Sequence, residues 1–179
     1  MKTALILHGI GGHAGIHWQQ WLADQLSAQG YRVLMPELPT ADHPDRQTWL
    51  NEIIKTLQDV ELSELTIIGH SLGVTTALDF LEQADGQVRK LIAVSGFAES
   101  YGAELNDYFL KEKPMDFTKV RQHLRSAVVI YGDDDPYVTQ EALRYVADAL
   151  GVQPVVIPHG GHLNTETGYT EFPRLLELV

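Results

Sequence analysis

Six short runs in this chain are apolar almost throughout, and each stops abruptly. Thr3–Leu7 ends at His8-Gly9, Tyr31–Met35 at Pro36, Leu65–Ile68 at Gly69, Lys90–Val94 at Ser95-Gly96, Ala127–Tyr131 at Gly132, and Pro154–Ile157 at Pro158. A strand with one wet face alternates apolar and polar residues. Continuous runs belong to strands buried on both faces, as in a parallel sheet covered by helices. The intervening segments have helical spacing. Trp18, Trp21, Leu22 and Leu26 recur at intervals of three and four, as do Trp49, Leu50, Ile53, Ile54 and Leu57. Leu72–Gln83 and Glu141–Leu150 follow the same pattern, with Gly151 as a C-terminal stop and Glu171–Leu178 as a short last helix. Strand–helix alternation predicts right-handed crossovers and a three-layer α/β/α sandwich forming one domain over residues 1–179. Ser95–Pro114 fits neither period. It is expected to make an irregular excursion over the C-terminal edge of the sheet, where open α/β sheets bind ligands.

Gly69-His70-Ser71-Leu72-Gly73 stands between the third run and a helical segment. It matches G-x-S-x-G, the sharp strand-to-helix turn that projects a serine hydroxyl from the top of a sheet. Its glycines permit close backbone approach, and the following helix aims its N-terminus at developing negative charge. His8-Gly9-Ile10-Gly11-Gly12 follows the first run. A loop of this kind supplies one amide of an oxyanion hole, and the residue after the serine supplies the other. The candidates are the amides of Ile10, with Gly11 as the alternative, and Leu72. A phosphate-binding loop is the competing reading, but neither G-x-G-x-x-G nor a Walker lysine is present.

Two later segments complete an acyl-transfer constellation. Asp133-Asp134-Asp135-Pro136 follows the fifth run, and His159-Gly160-Gly161-His162 follows the sixth. A serine nucleophile needs a histidine base, and the base needs a carboxylate to orient it. Ser71, Asp135 and His162 occur in the Ser…Asp…His chain order of α/β hydrolases. Asp135 is favoured by its place before Pro136 with Val138 further on; Asp133 and Asp134 are expected to cap backbone amides, with Asp134 the rival for the acid. His159 is the rival to His162. The expected substrate pocket includes Gly9, His70 and Phe97. Tyr101, Tyr108 and Phe109 are the other aromatics of the covering segment.

Composition narrows the partners. The 179 residues carry a net charge of −11 with no basic cluster, which disfavours nucleic acid and anionic membrane surfaces. There is no cysteine, so no disulfide or thiolate metal site is available. The N-terminus lacks the apolar length of a signal peptide, and no run could span a bilayer, in keeping with a cytoplasmic location. His13 and His17 are four apart, and His43 lies near Asp42 and Asp45, but no H-E-x-x-H pattern exists. No metal or cofactor is expected, and the expected partner is a small-molecule substrate. A non-catalytic binding module that retains the fold is the alternative of a different class.

Taken in order, these motifs resemble the small serine hydrolases typified by retinoblastoma-binding protein nine and its compact bacterial relatives. The resemblance runs from Thr3 to Val179. It includes His8-Gly9, Trp18, Pro36, Pro39, Trp49, the Ser71 pentapeptide, Asp134-Asp135-Pro136-Tyr137-Val138 and Gly160-Gly161-His162. It implies a reduced α/β-hydrolase fold without a large lid, lacking the first two strands of the full fold. About six parallel strands would remain, in the order 2-1-3-4-5-6. It also implies a metal-independent serine hydrolase with esterase-like or peptidase-like activity. The partner-binding role of the mammalian protein is not implied, because no motif here carries it.

Overall fold

A computed structural model describes residues 1–179. Its six strands are β1 (Thr3–Leu7), β2 (Arg32–Leu34), β3 (Leu65–His70), β4 (Lys90–Val94), β5 (Ala127–Gly132) and β6 (Val155–Ile157). They form one all-parallel sheet in the order β2-β1-β3-β4-β5-β6, with Leu7 opposite Gly69 and His70 opposite Val94 in register. The continuous apolar runs have a simple cause. Successive side chains of a strand point to opposite faces, and each face has its own core. Leu5, Leu7, Ile67, Leu91, Ala93 and Val129 enter one cluster; Ala4, Ile6, Ile68, Ile92, Val94 and Ile130 enter the other.

The two faces are unequal. One is covered by α2 (Arg46–Thr56), α3 (Leu72–Glu82), α4 (Glu104–Lys111), α5 (Phe117–Gln122) and α6 (Gln140–Leu150), and its cluster has 33 buried residues. The other is covered by α1 (Gln19–Ala28) and α7 (Pro173–Leu176), with 13. Trp18 and Trp49 are fully buried in opposite clusters, as their helical spacing predicts, while Trp21 is only partly buried. Helix ends follow local chemistry. Asp45 Oδ1 accepts from Thr48 N–H at 2.7 Å, Thr139 Oγ1 accepts from Ala142 N–H, and Gly151 closes α6 at φ 73°.

Ser95–Pro114 departs from the expected irregular excursion, because it contains α4. Its anchor lies elsewhere in the chain. Arg46, at the start of α2, is 2% exposed and grips Asp79 of α3 through Nε (2.7 Å) and Nη2 (2.9 Å). Its Nη1 donates to the carbonyls of Phe109, Leu110 and Lys113 at the C-terminal end of α4. Lys113 adds a 2.8 Å contact to Asp79 and a second to Glu82. A guanidinium thus takes up helix-end carbonyls that would otherwise be buried without partners. The helix α5 was also absent from the helical spacing, being only six residues long.

Removing one partner of a buried ion pair leaves the other charge desolvated, at a cost of about 3–5 kcal/mol. Asp79→Leu should therefore lower the unfolding free energy by that amount, read as a lower urea midpoint at unchanged m. A loss below about 1 kcal/mol would show that the carbonyl contacts alone satisfy Arg46.

Candidate active site

The turn from β3 into α3 gives Ser71 φ 55° and ψ −126°. That is left-handed backbone, costly for a residue with a Cβ. Serine at a helix N-cap ordinarily bonds the first-turn amides, but Ser71 makes no such bond. Its hydroxyl is left over for other work. The turn is tight enough to dictate its neighbours. A Cβ on Gly73 would lie 2.5 Å from the His8 carbonyl oxygen, and one on Gly69 would lie 2.9 Å from Val74 N.

The loop after β1 is drawn onto the serine. A Cβ on Gly9 would fall 2.9 Å from Ser71 Cβ. His8 is fully buried and neutral, because burial pushes its pKa down. Its Nε2 accepts from Leu38 N–H at 3.1 Å, so Nδ1 carries the proton and donates to the Gly9 carbonyl at 2.8 Å. With that carbonyl held, the planar trans peptide sends Ile10 N–H in the opposite direction. Gly11 N–H is already committed to Ala41 O at 2.7 Å. Neither Ile10 N–H nor Leu72 N–H has an acceptor in the fold. Of the two candidates in the glycine loop, Ile10 is the one with a free amide.

The three aspartates after β5 each hold one point of the loop after β6. Asp133 Oδ1 accepts from His159 N–H, and Asp134 Oδ1 from Gly161 N–H, both at 2.8 Å. Asp135 Oδ2 accepts from His162 Nδ1 at 2.7 Å, with the carboxylate side chain wholly buried. Its other oxygen accepts from Tyr137 N–H and Val138 N–H. Two ring donors fix the far side of this loop: His70 Nε2 to His162 O at 2.9 Å, and Trp18 Nε1 to Leu163 O at 2.9 Å. The restraint is substantial because His159, Gly161 and Leu163 all have positive φ. His159 itself is 91% exposed and points to Asp134.

Ser71 and His162 line one cavity of about 280 Å³, together with Gly9, Ile10 and His70. Both side chains line the cavity, and no hydrogen bond joins Ser71 Oγ to His162. The cover contributes Tyr101, Leu105 and Asn106. Phe97 does not reach the cavity. It is fully buried beneath Tyr101, 5.0 Å between ring centres, with its carbonyl held by Thr75. Phe109 is likewise core, and Tyr108 faces Pro44 and His43 instead. Sequence spacing missed His17, Tyr137, Asn164 and Glu166, which complete the wall. They sit in loops or in the 3₁₀ turn Thr165–Thr167 and have no periodic signal. The only grouping with metal-ligand types is Asp133, Asp134 and His159, all exposed and engaged with the loop backbone.

A parallel sheet in this order, carrying a strained serine between β3 and α3, defines an α/β-hydrolase fold. The chain belongs to the serine hydrolase family, whose model matches residues 4–179. It is 29% identical over 182 residues to YdeN of Bacillus subtilis (strain 168), covering 99% of this chain and 94% of that one. The solved structure of the B. subtilis ydeN gene product superposes with a TM-score of 0.92 at 27% identity, covering 99% and 96%. A thioesterase domain from the curacin biosynthetic pathway shares the fold at TM-score 0.70 and 17% identity, covering 99% and 90%. No helix is long and apolar enough to cross a membrane.

His70 is completely buried. Desolvation, then the nearby His162, pushes its pKa well below the ordinary 6.5. Burial lowers His8 and His17 in the same direction. Below 6.5 the unfolded chain therefore binds more protons than the folded one. Stability should be complete above that pH and fall as the solution is acidified through it. Nitrogen NMR should find His70 neutral and protonated at Nε2 on both sides of 6.5; an inflection there would contradict the burial argument.

Proposed function

We propose that this hydrolase acts by acyl transfer through Ser71, with His162 as general base, Asp135 as its orienting carboxylate, and Ile10 and Leu72 N–H as the oxyanion hole. The observation that carries the reading is the 2.7 Å bond from His162 Nδ1 to a buried Asp135. With Nδ1 donating, Nε2 is left as the acceptor a base requires. Ser71 Oγ attacks the substrate carbonyl and His162 Nε2 takes the hydroxyl proton. The resulting oxyanion is held by the two free amides, each such donor contributing roughly 2.7–4 kcal/mol. Collapse breaks the bond to the leaving group, which departs with the proton from His162. Water then enters, gives its proton to His162 and releases the acid from Ser71.

The substrate is an ester, thioester or amide with a small acyl part, as in a carboxylesterase. The cavity's volume, about 280 Å³, lies just below the roughly 300–1,000 Å³ usual for ligand sites. Each buried CH₂ contributes about 0.8 kcal/mol until the wall is reached. On p-nitrophenyl esters, kcat/KM should peak at acyl chains of about two to six carbons. A steady rise through decanoate would point to an open acyl channel.

A fluorophosphonate should label Ser71 and no other residue. Absence of any adduct on folded protein would remove the catalytic reading and favour a binding module. Asp135→Asn should cost on the order of 10⁴ in kcat. Asp134→Asn should cost far less, because an amide oxygen can still accept from Gly161 N–H. Equal losses would mean that the acid has been misassigned. Activity should survive exhaustive chelation, and zinc-restored activity would argue against this mechanism.

A further inference from the structure

The cavity wall contains one residue of formal charge, Glu166, and no lysine or arginine. Its other acid–base groups include two tyrosines, whose pKa is raised, the half-buried His17 and the buried His70, whose pKa is lowered; these four are uncharged near neutrality. Glu166 has no cationic partner among the ion pairs of the fold. A lone carboxylate at the wall of a small site creates a negative potential that no neighbouring charge cancels.

The carboxylate is also held in place. Glu166 Oε2 accepts from Tyr137 OH, and the Tyr137 ring stands edge-on to His162 with centres 5.3 Å apart. Glu166 belongs to the one-turn 3₁₀ segment Thr165–Thr167. Thr165 N–H donates to His17 Nδ1 at 3.2 Å, and a reciprocal pair of bonds joins Asn164 to Thr167. One Glu166 oxygen is thus engaged by Tyr137, and the hydrogen bonds leave Oε1 free.

The side of the site is chemically defined. In the proposed mechanism His162 hands its proton to the leaving group, so the leaving group must lie over His162. Tyr137 stands against that same residue and holds the Glu166 carboxylate at the cavity wall. We propose that Glu166 is a specificity residue of the leaving-group side, selecting esters or amides whose leaving group carries an ammonium. This inference rests on the hydrolase reading and names the substrate class for it. Anionic leaving groups are disfavoured by the same field.

The matched probes are acetylcholine and 3,3-dimethylbutyl acetate, which have the same shape and differ in the charge of one atom. At low ionic strength the cationic ester should be preferred in kcat/KM by about fivefold, the size of a favourable, partly exposed ion pair. The preference should shrink as salt is raised. Glu166→Gln should bring the ratio of the two esters close to one, while Tyr137→Phe, which keeps the carboxylate, should retain a preference for the cation. Should neither ester turn over, protection of Ser71 from fluorophosphonate by choline against 3,3-dimethylbutanol gives the same ratio. A ratio of one in the unaltered protein, with Ser71 labelled normally, overturns the role of Glu166 and leaves the hydrolase reading standing. Failure of labelling and of turnover together removes the hydrolase reading, and this inference with it.

Discussion

Helix α3 begins in contact with the backbone of the loop after β1. A single added methyl on Gly73 would meet the His8 carbonyl oxygen at 2.5 Å and that of Leu7 at 2.9 Å. This approach fixes the distance between the two strands' upper ends and everything mounted on them. It brings Gly9 against Ser71 and places two unengaged amides, of Ile10 and Leu72, on either side of the serine. It also explains why Ser71 adopts left-handed backbone. The chain must leave β3 and start a helix within one residue, under a roof of carbonyl groups. The strain in the turn is offset by the 33-residue core that holds α3 down. His8 is part of the same arrangement, since its buried ring carries hydrogen bonds from one loop to the next.

The opposite side of the site is built by a different principle. The loop carrying His162 bends through three positive-φ residues and has little regular hydrogen bonding of its own. Its order comes from outside. Asp133, Asp134 and Asp135 accept from three successive points of it, while His70 and Trp18 bind two of its carbonyls. His70 therefore links the serine turn to the histidine loop directly. A ring at that position must be a donor at Nε2, and complete burial keeps it from taking a second proton. An acidic run that looks redundant in sequence is a ladder of acceptors spaced to match one loop.

Much of this was legible in the sequence, for identifiable reasons. Buried strands announce themselves because both faces are apolar, and all six runs became strands, two with the same ends and four with ends moved by a residue or two. The elbow was legible because its glycines are demanded by contact. Asp135 and His162, singled out with Ser71 by their chain order, are joined at 2.7 Å in the structure. The helix α4 could not be read as helix: it is short and depends on Arg46, 58 residues before it at Glu104. Phe97 was misplaced for a related reason. An aromatic in a covering segment can face the site or the sheet, and only packing against Tyr101 and Val74-bearing α3 decides it. His17 reaches the segment carrying Glu166 through Thr165, 148 residues away, and Glu166 is tied to Tyr137. Nothing local marks them.

The Arg46 anchor has a consequence for how specificity is held. Helix α4 presents Leu105 and Asn106 to the cavity from its N-terminal half, while Arg46 grips the carbonyls of its C-terminal end. Purely apolar packing would let a short helix slide, because contacts between smooth side chains are similar at neighbouring registers. A bidentate ion pair with three carbonyls is geometrically exacting, and an offset of one residue would leave buried polar groups without partners. Asn106 shows how little slack remains: its Nδ2 donates to Tyr101 OH at 2.9 Å, and its buried Oδ1 has no partner. The desolvated charges thus supply position more than net stability. They set the height of the cover above Ser71 from a residue that does not itself line the cavity.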